Sequence, residues 1–429
     1  MKTPIRIFWF RRDLRLDDNH GLYKACLEGI ILPVFIFDEE TLKSHDKDSA
    51  KITYTHQALQ KIQNTLVQLG KGLVIYHGQV ISCWEEIIKT YNVEAVYFNK
   101  SYEPYSLKKD QYVRDMLNQS GISVHSFKDQ VIFEENEILK PNNKPYTVFT
   151  PYKNKWLKHF HSDNIKPFPS ESYIHNLMNI NTAIPSLNSL GFKSSPIRVK
   201  PVNFDSLNQY NITRDFPALE QTSNLSVLLR YGTFSIRKAI KMALNTNEIW
   251  LKELIWRSFF KQILYHFPHV VNQPFKITYS NFPWRNNINE FNAWCKGETG
   301  YLMVDAGMRE LNSTGYMHNR ARMVCASFLC KHLLIDWRWG EAYFANKLLD
   351  YDLSANNGNW QWASSTGCDS VPYFRIFNPE RQVKRFDPQL KYIKRWVKDH
   401  DQPTYPKPII EHKVARERCL LAFKQHNTP

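Results

Sequence analysis

Long hydrophobic runs are missing from this sequence: no stretch reaches the roughly 18 uninterrupted apolar residues that a membrane-spanning helix needs. An apolar N-terminal run is missing as well. The opening MKTPIRIFWFRRDLRLDD carries charges straight through the place where a secretory signal would put its hydrophobic segment. Paired cysteines are also absent. The seven thiols (Cys26, Cys83, Cys295, Cys325, Cys330, Cys368 and Cys419) are odd in number and include no CxxC. That argues against a disulfide framework or structural zinc site and fits a reducing compartment. No internal repeat is evident. The expectation is a soluble, cytoplasmic protein with no membrane association.

What is present is a globular composition. The 429 residues are 43% hydrophobic and 23% charged, which excludes a mainly disordered chain. At roughly 100–200 residues per domain this length predicts two or three units. The net charge of +15 is uneven. Before residue 210 there are 26 basic and 22 acidic residues, and from 210 onward 30 basic and 19 acidic. A local basic excess of this kind suits a polyanion such as DNA, RNA or an acidic membrane surface.

The chain has two grammars. Up to about residue 130, the apolar runs 5–10, 31–37, 72–78 and 94–99 read as buried strands, and segments 20–28, 50–69, 82–91 and 105–119 as helices between them. Strands alternating with helical segments of this length imply right-handed crossovers and a parallel sheet. No GxGxxG follows the first strand, so the conventional dinucleotide fingerprint is absent. Residues 131–209 are rich in Pro, Ser and Asn and read as an inter-domain connector. From 210 to 429 helical patterns take over, clearest at 251–267 and 318–337, and nine of the twelve tryptophans lie there. The expected fold class is α/β: a Rossmann-like parallel-sheet domain (1–130), the connector, and an all-helical domain (210–429).

Four segments carry chemistry. In WLKELIWRSFF (250–260), Glu253 and Arg257 share a helical face with Trp256 beside them, either a surface ion pair or the wall of a pocket for a flat ligand. In TGYMHNRARM (314–323), Asn319 and Met323 share a face by i,i+4 spacing, and Arg320 and Arg322 could meet phosphates or an electron-rich ring. In LLDYDLSANNGNWQWASSTGCD (348–369), Asp350 and Asp352 precede what reads as a small-residue turn holding Trp360 and Trp362. No third carboxylate or His lies at a convincing spacing, so no metal is expected. In FPALEQTSNLSVLLRYG (216–232), Thr222, Ser223, Asn224 and Ser226 read as helix caps, with phosphate binding as the other reading.

Taken in order, and with FWFRRDLRLDDN (8–19), HNRARM and YFRIFNPERQ, these segments resemble the photolyase/cryptochrome family of flavoproteins from residue 5 to about 420, most weakly at 163–205. The resemblance implies that the helical domain binds FAD, active as FADH⁻. Tyr210 and the run Thr222, Ser223, Asn224, Leu225 and Ser226 would contact its diphosphate and ribityl region. Arg257 would line the flavin pocket, Arg322 and Asp350 would pair beside the ring, Asp352 would lie at its polar edge, and Asn356 would face flavin N5. Trp284, Trp337 and Trp360 match the family's electron-carrying tryptophan trio.

Single residues point to a subgroup. Where (6-4) photolyases carry two histidines, this chain has Asn319 and Met323, as in microbial class I photolyases acting on cyclobutane pyrimidine dimers. Glu253, Trp256 and Trp362 complete that group's dimer pocket. Plant and animal cryptochromes carry Asp or Cys in place of Asn356. The expected function is light-driven repair of UV-damaged DNA by electron transfer to a flipped-out dimer. Arg214, Arg320, Lys384 and Arg385 would meet DNA phosphates and Gln382 would lie on the same rim. The alternative is a cryptochrome-type blue-light photoreceptor. The chain is expected to act as a monomer on DNA. An antenna chromophore (folate, deazaflavin or flavin) stays open, because Ser106 stands where folate-binding relatives place an acidic contact.

Overall fold

A computed structural model describes residues 3–427. Two compact units interleave along the chain: residues 1–137, 156–200 and 225–245 form the first, and 138–155, 201–224 and 246–429 the second. This differs from the consecutive division at 130 and 209 expected above. Local composition marks residues 131–209 as irregular but cannot show which body each piece packs on.

The first unit is built on a five-stranded, all-parallel sheet in the order β3-β2-β1-β4-β5. The strands are β1 (Ile5–Phe10), β2 (Ile31–Asp38), β3 (Val74–Gly78), β4 (Val93–Asn99) and β5 (Ser123–Phe127). The first four were legible from their apolar runs. The sequence of β5, SVHSF, has only two apolar residues, so it escapes a hydrophobicity reading. Both faces of the sheet are covered, as parallel sheets require. One side packs against helices His20–Glu28 and Ala50–Val67, the other against Val80–Thr90 and Pro104–Gln119.

Part of the connector belongs to this core. Ile174, Leu177, Leu190 and Phe192 are buried against the first helical layer, and the Met178 backbone N–H donates to Ile31 O at 2.9 Å. What composition presents as a linker is a strap, its scattered apolar residues giving no periodic signal.

A buried ion cluster ties residues 225–245 into the same unit. Arg15 Nη2 lies 2.7 and 2.8 Å from the two oxygens of Asp129, and Arg237 Nη2 lies 2.8 Å from Asp129 Oδ1. Arg237 Nε donates to Asp18 Oδ1 at 2.8 Å. Burial alone would raise the Asp129 carboxyl, but the two guanidinium groups overrule it and bring it down to about 2.

The second unit is helical. Its core centres on Leu302–Thr314, Asn319–Ser327, Trp337–Lys347 and Leu353–Ser364, with five large side chains (Trp294, Trp337, Trp360, Phe328 and Tyr392) almost fully buried. Two sequence readings need correction. The continuous helix expected over 318–337 is an α-helix, Asn319–Ser327, running into a π-turn, Phe328–His332. It stops because Leu334 has a φ of 50°, and Asp336 caps a new helix by accepting from the Arg338 N–H at 3.0 Å. The small-residue turn expected after Asp352 is a helix, Leu353–Ser364, capped by Asp352 itself. Its small residues serve close packing between helices. A Cβ on Gly358 would stand 2.1 Å from the Phe260 ring.

Replacing Asp129 by Asn leaves two buried guanidinium groups poorly compensated and should destabilise the protein by about 3–5 kcal/mol in urea denaturation. The pH dependence has a definite sign. With a folded value near 2 and an unfolded one near 3.9, this contribution is complete above pH 4 and fades as pH falls towards 2. The variant should lack that component of acid destabilisation.

Candidate functional site

Most of the expected site residues sit in the second unit, on helices Glu248–His266, Asn319–Ser327, Trp337–Lys347, Leu353–Ser364 and Pro379–Phe386 and on the segments between them. Helix Leu353–Ser364 packs against both Glu248–His266 and Asn319–Ser327. Glu248–His266 starts at Asn247, whose side chain accepts from the N–H groups of Ile249 and Trp250. This helix carries Glu253, Trp256 and Arg257, all half-buried. Helix Asn319–Ser327 starts at His318, whose ring accepts from the Arg320 N–H at 3.1 Å. Its i,i+4 pair meets as expected, with Asn319 Nδ2 3.8 Å from Met323 Sδ.

Because Leu353–Ser364 is helical, Trp360 and Trp362 point about 200° apart. Trp360 is buried, and a Cβ on Gly340 would stand 2.1 Å from its ring. Trp337 is one turn before Gly340 on the same helix, which brings the buried Trp337 to the same side. Trp284 is partly buried against the same core cluster. The Trp360 ring also meets Trp294 at 6.0 Å and Phe344 at 5.0 Å. Trp362, by contrast, stays half-buried.

Four charged or polar groups around the start of Leu353–Ser364 are held by specific partners, one pair of them expected from the sequence. Arg322 Nη2 lies 2.9 and 3.1 Å from the Asp350 oxygens, as the resemblance implies, while its Nε donates to Met317 O at 2.8 Å. Asp352 pairs with buried Lys261 at 2.9 Å and also takes the helix cap and the Ser354 hydroxyl. Asn356 Nδ2 donates to Glu341 O at 3.1 Å and to Glu341 Oε1 at 2.8 Å. This fixes the amide orientation and turns Oδ1 away as the acceptor. Burial raises the Glu341 carboxyl, and the hydrogen bond from Asn356 opposes that shift. Glu341 and Lys261 escaped sequence reading because they lie 15 and 91 residues from their partners, with no shared local pattern.

Segment 201–224 brings further groups. Tyr210 opens the one-turn helix Tyr210–Thr213, and burial and then Glu253 push its phenol up to about 12. Arg214 Nη1 donates to Glu253 Oε1 at 2.6 Å, and Arg320 Nη2 pairs with Asp215 at 2.7 Å. The two expected phosphate contacts Arg214 and Arg320 are thus each paired with a carboxylate. Arg320 also lies over the Phe386 ring at 4.1 Å, beside Arg385 at 5.1 Å. Lys384 and Arg385 are exposed, and Gln382 is half-buried.

The expected cap role of Thr222–Ser226 is not what the structure has. Helix Ser226–Tyr231 has Leu225 at its N-cap and no side-chain cap hydrogen bond. Thr222 Oγ1 donates to Asn224 Oδ1 at 3.2 Å, and Asn224, at φ 54°, donates to Pro201 O at 3.0 Å. The polar side chains shape the loop instead. Leu225 and Ser226 themselves fall in the first unit.

The donor set suits a flavin. A fixed amide acceptor at Asn356, an Arg–Asp pair at Arg322 and Asp350, and an apolar wall of large rings match a flat ring system with one polar edge. No cluster of His, Cys, Asp or Glu among the described residues could hold a metal ion, and no described helix is long and apolar enough to cross a membrane. A helical unit with this donor set defines a protein built to hold a flat, ring-shaped cofactor such as a flavin.

Comparison with known proteins carries the assignment further. Residues 6–172 match the family profile described as DNA photolyase, and residues 250–403 that of the FAD binding domain of DNA photolyase. The deoxyribodipyrimidine photo-lyase of Synechococcus sp. is 35% identical, with 99% of this chain and 97% of that protein aligned. The Escherichia coli enzyme of that name is 34% identical over 97% and 98%. Among solved structures, a bacterial class III photolyase from Agrobacterium tumefaciens superposes with a TM-score of 0.88 at 31% identity, covering 100% of this chain and 99% of that one. An archaeal photolyase from Sulfolobus tokodaii, solved with two FAD molecules, gives 0.83 at 31% identity over 98% and 100%. The chain belongs to the DNA photolyase family.

Gly358→Ala should test the helix contact that positions this site. A methyl group against Phe260 costs about 1–3 kcal/mol and should lower the ratio of bound flavin to protein, measured by absorbance alongside a thermal melt.

Proposed function

We propose that this chain repairs cyclobutane pyrimidine dimers in DNA in a light-dependent reaction with FAD as cofactor, acting as a monomer. The observation that carries this reading is the helix Leu353–Ser364. It bears Asn356 and Trp360 on one face by i,i+4 spacing and Trp362 on another, while packing against the helices of Trp256 and of Asn319 and Met323. When bound, reduced FAD would supply the photo-excited electron that opens the cyclobutane ring and would take it back from the separated bases, so that no net redox change occurs.

The chain's own residues do the rest. A dimer is poorly stacked and paired, so extruding it costs less than extruding normal bases, and photolyases are themselves a standard example of base flipping. Trp256 and Trp362 offer half-buried rings, and each base–aromatic contact is worth roughly 1–3 kcal/mol. Glu253 hydrogen-bonds the pyrimidine edge, with Asn319 and Met323 completing the pocket. Arg214, Arg320, Lys384 and Arg385 meet phosphates, with Gln382 at the rim. Tyr210, Thr222, Ser223, Asn224, Arg257, Arg322, Asp350 and Asp352 would hold the cofactor, and Asn356 would present Oδ1 to it as an acceptor. Trp360, Trp337 and Trp284 carry electrons to the oxidised form.

Reduced protein should restore a duplex containing a cyclobutane dimer in blue light, leave a (6-4) lesion untouched and do nothing in the dark. Flavin binding without repair of either lesion would favour the photoreceptor reading instead. In the same assay Glu253→Ala should lower the yield per bound dimer about tenfold, the loss of one hydrogen bond to a charged group, with a smaller change in DNA affinity. Trp360→Phe should abolish photoreduction of oxidised FAD, followed by absorbance, while protein reduced beforehand keeps its repair activity.

A further inference from the structure

We propose that Phe149 is the positioning residue of the dimer pocket: lying flat against one face of Trp256, it fixes the orientation in which the indole meets the lesion. The inference rests on the reading of Trp256 as a wall of that pocket. The two rings are 3.6 Å apart at centroid and only 8° from parallel, closer and flatter than the offset or edge-on packing that aromatic pairs usually adopt.

Phe149 is itself immobilised from three directions. It is buried, its ring meets Phe259 edge-on at 5.9 Å and 75°, and its backbone N–H donates to Asp369 Oδ2 at 3.0 Å. One turn further along the same helix, Phe149–His159, Tyr152 lies 5.3 Å from Phe259. Trp256 also meets Phe259 at 82° and Phe260 at 5.4 Å. The indole is half-buried, stacked face to face on Phe149 and inclined at 27° to the more distant Phe260 ring.

This explains a feature of the chain path. Residues 138–155 belong to the second unit although the residues on either side belong to the first. That excursion delivers Phe149 and Tyr152 to the Glu248–His266 helix. Its consequence for binding is preorganisation. A Trp free to turn about two side-chain bonds must be ordered when the lesion arrives, whereas a Trp already stacked on Phe149 meets it in place. The effect belongs to lesion affinity. Undamaged DNA, which sends no base into the pocket, does not report it, and ring opening of a dimer once bound does not depend on it.

Phe149→Leu keeps the site apolar but removes the flat face, and Phe149→Tyr keeps the face. In the flavin-loaded protein, Phe149→Leu should bind a dimer-containing duplex about three- to tenfold more weakly, with undamaged-duplex affinity and repair yield per bound dimer near wild type. Phe149→Tyr should restore lesion affinity. Equal lesion affinity in Phe149→Leu and wild type, or an equal loss on damaged and undamaged duplex, would overturn the proposal. If Phe149→Leu does not fold, Phe149→Met takes its place. Failure of both to fold, with Phe149→Tyr intact, means a structural role and also overturns it. The wild-type arm separates the two levels. A wild type that neither binds nor repairs the lesion refutes the proposed function, whereas a repairing wild type matched by Phe149→Leu refutes only the role of Phe149.

Discussion

The helical unit is organised by a close approach. Helix Leu353–Ser364 runs so near Glu248–His266 that Gly358 has no room for a side chain beside Phe260. On the other side, Trp360 fills the space left by Gly340. With two glycines opposite two large rings, the helices can hardly slide or rotate against each other, because the interior is close-packed and any shift opens a void or creates a clash. The side chains of these two helices hang on that register: Asn356 and Trp362 on one, Trp256 and Arg257 on the other, with the Asp352–Lys261 ion pair joining them.

A second constraint governs the sheet unit. Asp129, buried between Arg15 and Arg237, joins residues from three stretches of chain far apart in sequence. Such a cluster adds little net stability, since desolvation offsets much of the attraction, but losing any one member leaves a buried charge uncompensated. That property suits a unit assembled from residues 1–137, 156–200 and 225–245.

The site shows the same economy of partners. Asn356 is oriented by Glu341, Arg322 by Asp350 and Met317, and Trp256 by Phe149. Arg214 and Arg320, read from sequence as phosphate ligands, each rest on a carboxylate.

Sequence alone was informative where a signal is local or repeats. Four apolar runs separated by helical segments gave the parallel sheet, and the i,i+4 pair of Asn319 and Met323 met as spacing required. The motifs around Arg322, Asp350 and Asn356 were specific enough to name the family. β5 was lost because it is nearly polar, and 355–367 was read as a turn because Gly, Ser and Asn are weak helix formers in isolation, although small residues permit close contact in a core. The strap through Phe192, the interleaved units, and the partners Glu341, Lys261 and Phe149 depended on residues tens to hundreds of positions apart. The amino-acid sequence determined which chemical groups this protein has and the local elements that carry them. Only the tertiary structure decided which of those groups touch, because long-range contacts are selected by packing and desolvation and leave no periodic trace along the chain.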